Sequence, residues 1–133
     1  MTSDYLLDTS ALIALETELR MGIEGKALTF LQANEAAVMH ISIVTYGEIC
    51  TVFDEESSEL RDQILGRFDI VLITERIARQ YAQECARQRN RQSLPIGAND
   101  LWIASTALVL GFPLVTRPAA YFRRVQGLSV IEI

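Results

Sequence analysis

The chain has 133 residues and 14.9 kDa, half of it apolar, which is enough for one domain with its own hydrophobic core. Two cysteines and one histidine rule out a disulfide scaffold, a Cys/His zinc site, a multi-histidine metal site or a serine-type triad. The net charge of −5 is unevenly spread: eight arginines against two acids leave residues 76–124 at +6, and the rest of the chain carries −11.

In chain order, short β-type runs alternate with helical periodicity. Tyr5–Leu7 reads as a strand running into Asp8. Thr9 to about Glu18 follows as a helix, with Ala11, Leu12 and Leu15 on one face. Gly25 to about Asn34 reads as a second helix, Val38–Ile41 as a strand, and Ile43 to about Asp54 as a helix carrying Glu48 between Val44 and Val52. Residues 56–67 are polar and helical, and Asp69–Ile73 reads as a buried strand. Glu75 to about Arg91 is a long amphipathic helix. After a loop with Pro95 and Gly97, Asn99–Leu110 is a helix stopped by Gly111, followed by a strand at Leu114–Thr116. A short helix, Ala119–Val125, and a strand, Leu128–Ile131, close the chain. Strands separated by helices imply an α/β fold: a parallel sheet with helices on both faces, forming a single domain over 1–133.

The start of the chain has no basic residue before its short apolar run, and no apolar stretch approaches the ~18 residues of a membrane span. The expectation is a cytoplasmic protein with no membrane association.

Three acids sit where strands end or helices begin. Asp8 ends the first strand, Glu48 lies one to two turns after the second, and Asp100 is in the first turn of its helix. In a parallel sheet these positions share one edge, where open α/β sheets bind ligands. Singly, Asp8 equally suits an N-cap, Asp100 a favourable helix dipole, and Glu48 a structural arginine pair. Together they repel: two carboxylates ~4 Å apart cost about 4 kcal/mol at an effective dielectric near 20. A hard cation relieves that repulsion, and oxygen-only donors suit Mg²⁺ or Mn²⁺. The pattern points to metal-assisted phosphoryl transfer or a nuclease. MGIEGKA lacks phosphate-loop spacing, no G-x-G-x-x-G occurs, and the single Lys26 lies in the wrong region for a phosphoacceptor domain.

YLLDTSALIAL, ISIVTYGEI and ANDLWIASTALVLGFPLVTR resemble, in order, the three signatures of PIN-domain ribonucleases, and within them the VapC-type toxins of toxin–antitoxin pairs. The tail YFRRVQGLSVIEI extends the resemblance over essentially the whole chain. It implies a three-layer α/β/α fold with strand order 3-2-1-4-5 and a Mg²⁺- or Mn²⁺-dependent endoribonuclease. It further implies a homodimer and a cognate antitoxin. By the resemblance Asp8, Glu48 and Asp100 are the catalytic and metal-binding carboxylates, and Ser10 and Thr116 are hydroxyls that orient the site or its water. Arg117 and Arg91 are then candidates for contact with RNA phosphates.

The chain departs from the family in TRPAAYF, where Pro118 and Tyr121 replace an Asn or Asp and a further acid. A fourth carboxylate is therefore missing, leaving three outcomes: one ion, an acid borrowed from Asp4 or Glu16, or weak activity. The competing reading is a catalytically weak or inactive PIN-fold module that binds RNA or protein.

Overall fold

The computed structural model describes residues 3–53, 56, 58–90 and 95–133. The elements follow in the order β1 (Asp4–Leu7), α1 (Thr9–Met21), α2 (Lys26–Ala33), β2 (Val38–Ser42), α3 (Ile43–Val52) and α4 (Ser58–Leu65). They continue as β3 (Asp69–Val71), α5 (Glu75–Arg89), α6 (Ala98–Leu110), β4 (Leu114–Thr116), a 3₁₀ turn at Phe122–Arg124 and β5 (Val130–Glu132). The five strands form an all-parallel sheet of order β3-β2-β1-β4-β5, as expected.

Alternation of side chains along the central strands builds the two cores. Leu7 and Val115 face a cluster with Leu12 and Leu15 of α1, Ala27 of α2, Ile49 of α3 and Ile64 of α4. Leu6 and Leu114, one residue earlier on each strand, face the opposite cluster, with Leu101, Ile103 and Ala104 of α6 and the partly buried Tyr81 and Cys85 of α5. Helices thus cover both faces, and the small residues of α6 (Ala104, Ser105, Ala107) are fully buried against the sheet.

The expected elements are all present except the terminal helix, and four details differ. The Asp69–Ile73 run is an exposed edge rather than a buried strand: β3 spans only Asp69–Val71, with Ile70 43% and Leu72 65% exposed. An apolar run does not say whether its strand is central or at an edge, and here the strand order puts it at the edge. The expected helix over Ala119–Val125 is a single 3₁₀ turn. The last strand lies slightly further along the chain than Leu128–Ile131. Helix α1 extends to Met21, where Gly22 takes a left-handed conformation (φ 68°) and closes it.

Candidate active site

Register decides which residues meet. Leu7 pairs with Val115, and the ladder continues one step further as the Asp8 amide donates to the Val115 carbonyl (3.1 Å). Asp8 therefore stands level with Thr116 at the carboxyl edge of the two central strands. Its backbone then turns into α1 with extended angles (φ −84°, ψ 177°), so the carboxylate points back over the helix start.

Asp8 is 4% exposed and held by three donors. Oδ1 accepts from the Ala11 amide (2.9 Å) and the Ser10 hydroxyl (2.6 Å); Oδ2 accepts from the Thr116 hydroxyl in a very short bond. Asp8 is thus both the N-cap of α1 and a member of the acidic edge. Ser10 and Thr116 stand beside Asp8, their oxygens 3.2 Å apart and both protons directed to it. The Arg117 amide donates to Ser10 Oγ (3.2 Å), tying the residue after β4 to the start of α1.

Glu48 is half-buried, but not for the reason its sequence neighbours suggest. Val52 is 58% exposed, so Glu48 does not share a buried apolar stripe. Its partner is Thr9, whose hydroxyl donates to Oε1 at 2.6 Å and lies 3.2 Å from Thr45 Oγ1. Thr9 thus aims the α3 carboxylate at the end of β1. The sequence reading passed over it, although its place directly after Asp8 was the available signal.

Asp100 sits in the first turn of α6, capped at Gly97 by no side chain. Among the described residues it makes no hydrogen bond or ion pair. Its pKa is raised first by burial, then by the negative charges of Asp8 and Glu48. That of Asp8 is raised by burial, which outweighs the lowering by its donors, with Glu48 adding to the rise. The three acids therefore feel one another's charge, and among the described residues none is neutralised by an arginine or lysine. Among those residues, however, no three His, Cys, Asp or Glu side chains are already gathered as an ion-binding group. The acids share an electrostatic field without a formed coordination shell.

The site opens to a cleft of about 550 Å³ lined by Asp8, Ser10, Asp100, Thr116, Arg117 and Tyr121. Arg117 lies at its rim, with Nε donating to the Ile133 carbonyl (3.0 Å). Arg91 lies outside the described residues. Tyr121 donates its hydroxyl to the Pro95 carbonyl (2.6 Å), so the residue at the expected fourth acid braces the segment before α6 instead. Neither acid considered as a substitute joins the site: Asp4 pairs with His40 (2.8 Å) and Glu16 with Arg20 (2.9 Å).

The donor chemistry fits a hard dication. An ionised carboxylate offers about four acceptor positions, and Asp8 uses three. Among the described residues Glu48 has one donor, Thr9, and both oxygens of Asp100 are unclaimed. All are oxygens, as Mg²⁺ and Mn²⁺ prefer.

A parallel 3-2-1-4-5 sheet with an acidic carboxyl edge defines the class, and the comparison of sequences agrees: the family model described as PIN domain matches residues 5–128, and the chain belongs to that family. It is 33% identical over 130 residues to the Ribonuclease VapC1 of Haemophilus influenzae, covering 94% of each chain. The fold superposes on VapBC-1 from nontypeable Haemophilus influenzae with a TM-score of 0.73 and 25% identity, covering 97% of both chains. It also superposes on VapBC2 from Rickettsia felis, solved bound to a promoter DNA fragment, with a TM-score of 0.84, 21% identity and 98% coverage of both chains. No helix among the described residues is long and apolar enough to cross a membrane.

Proposed function

We propose that this chain is a metal-dependent endoribonuclease and the toxin of a toxin–antitoxin pair. The observation that carries the reading is a set of three mutually repelling carboxylates with no cationic partner among the described residues, beside an open cleft. Curated relatives named as ribonucleases support the substrate class, and solved VapBC complexes support an antitoxin partner.

In this reading Asp8, Glu48 and Asp100 hold Mg²⁺ or Mn²⁺. Such an ion, when bound, lowers the pKa of a water and offsets charge building on the phosphodiester. The protein's own groups supply the rest. Ser10 and Thr116 fix both oxygens of Asp8, and Thr9 fixes Glu48, so that the acids are aimed before substrate arrives. Arg117, at the rim, meets the RNA backbone and contributes salt-sensitive, sequence-independent affinity. Ile13 and Ile23 are exposed on the neighbouring cleft that Arg117 also lines, an apolar surface for an antitoxin segment. The chain acts as a homodimer, to which the exposed apolar edge of β3 offers surface.

The test is RNA cleavage with Mg²⁺ or Mn²⁺, comparing the native chain with Asp100→Asn. Metal-dependent cleavage lost in the variant supports the proposal. Equal, metal-independent background from both favours the non-catalytic module, the reading to which Pro118 and Tyr121 point.

A further inference from the structure

Away from the acids, a cleft of about 410 Å³ opens between the end of α5 and the start of α6. Its lining includes Gln88, which is 5% exposed and whose two amide atoms, Oε1 and Nε2, have no hydrogen-bond partner among the described residues. Among the described residues it is the only side chain with buried polar atoms in that state. The acid one turn earlier does not satisfy it: Glu84, 1% exposed, takes Gln80 (3.1 Å) and Arg87 as its partners. A buried donor or acceptor left unpaired costs about 1–3 kcal/mol. A buried amide in that state calls for a partner that the described residues do not supply.

A carboxamide presents a donor and an acceptor side by side, and its complement is an edge with an acceptor and a donor likewise adjacent. Nucleobases carry such edges, and Gln reads them through two parallel bonds. The surroundings suit a base. Tyr81, also lining the cleft, is stacked on Trp102 with ring centres 3.7 Å apart and planes at 3°, giving a rigid aromatic wall. Arg89 stands exposed on the same cleft and makes no ion pair among the described residues, free to meet a phosphate.

The cleft also adjoins the acidic edge. Pro95 lines it, and the Pro95 carbonyl is held by Tyr121, a wall of the acidic cleft; Leu101 lines it and follows Asp100 in the chain. The two clefts thus flank the amino end of α6. We infer that the α5–α6 cleft is a nucleobase subsite, in which the Gln88 amide, closed off from solvent in the free chain, turns into the cleft to read one base of the RNA near the cleaved bond. The inference rests on the ribonuclease reading for its substrate class, and its test does not require cleavage.

Trp102 is the chain's single tryptophan and reports on the cleft through Tyr81. The measurement is its fluorescence during titration with each of the four ribonucleoside monophosphates, in EDTA, for the native chain and Gln88→Leu. Leucine is close to glutamine in size and removes two unpaired polar atoms, so this variant is expected to fold at least as stably. The expected result is saturable quenching with one base preferred, and affinity for it reduced about tenfold or more in Gln88→Leu. No saturable response to any nucleotide, or equal responses from both proteins, overturns the subsite. A subsite that binds nucleotide in a chain that cleaves no RNA overturns the nuclease reading alone; cleavage without nucleotide-dependent quenching overturns the subsite alone.

Discussion

Asp8 performs two tasks, and two substitutions separate them. Asp8→Ala removes the cap on the Ala11 amide, a loss of about 0.5–2 kcal/mol, and strips the Ser10 and Thr116 hydroxyls of their acceptor. Those oxygens are 3.2 Å apart and can bond to each other, so one buried hydroxyl remains unsatisfied, adding roughly 1 kcal/mol. The total of about 1.5–3 kcal/mol lowers Tm by roughly 5–11 °C for a chain of 133 residues. Asp8→Asn keeps Oδ1 as acceptor for Ala11 and Ser10, and the Thr116 hydroxyl can turn to accept from the new amide. It also removes a charge that is buried and repelled by Glu48. In EDTA, Asp8→Asn is therefore expected to melt at or above the native temperature and Asp8→Ala well below it, while neither cleaves RNA in Mg²⁺. Circular-dichroism melts and a cleavage assay on the same preparations check this. If Asp8→Asn is destabilised as much as Asp8→Ala, the charge is stabilising and the reasoning fails; if it still cleaves, Asp8 is only a cap.

Three further outcomes follow from the geometry. The folded-state pKa values of Asp8 and Asp100 lie above the usual 3.8, so the folded chain binds protons that the unfolded chain has released, and metal-free stability falls as pH rises from about that value through the raised ones. In Tm-against-pH curves in EDTA that fall is shallower for Asp100→Asn, and Mg²⁺ raises the native Tm more at pH 7 than at pH 4. Thr9→Val unties Glu48 and is expected to lower kcat about tenfold or more while shifting Tm by a few degrees at most, measured by steady-state cleavage and melting. Gly25→Ala is expected to destabilise by about 1–3 kcal/mol in denaturant titration. A Cβ there meets the Glu18 carboxylate, which is 4% exposed and holds the Ala27 and Leu28 amides at the start of α2 (3.1 and 3.0 Å).

The acidic edge was legible because it follows from alternation and direction, whereas the strand order came from the resemblance to PIN-domain ribonucleases, since alternation alone leaves several orders open. Once strands and helices alternate, Asp8, Glu48 and Asp100 have only one edge to occupy. The exposure of Ile70 and Leu72 was not legible, since an apolar run reads alike in a central and an edge strand. Thr9 escaped notice because its role depends on where α3 passes, a long-range packing outcome. Nothing in the sequence of the amphipathic α5 distinguishes Gln88 from its polar neighbours; only the packing of α5 on α6 shows that its amide is buried and, among the described residues, unpaired. Tyr121 was recognised as a missing acid, but its bond to Pro95 depends on the path of the chain before α6.

The most direct measurement is anomalous diffraction at the manganese edge from crystals soaked in millimolar Mn²⁺. An ion bound by oxygens of Asp8 and Asp100, with Glu48 bonded to it directly or through water, is the predicted result. Density only at other surface carboxylates, or three acids still unmetallated while cleavage proceeds in the same buffer, contradicts it.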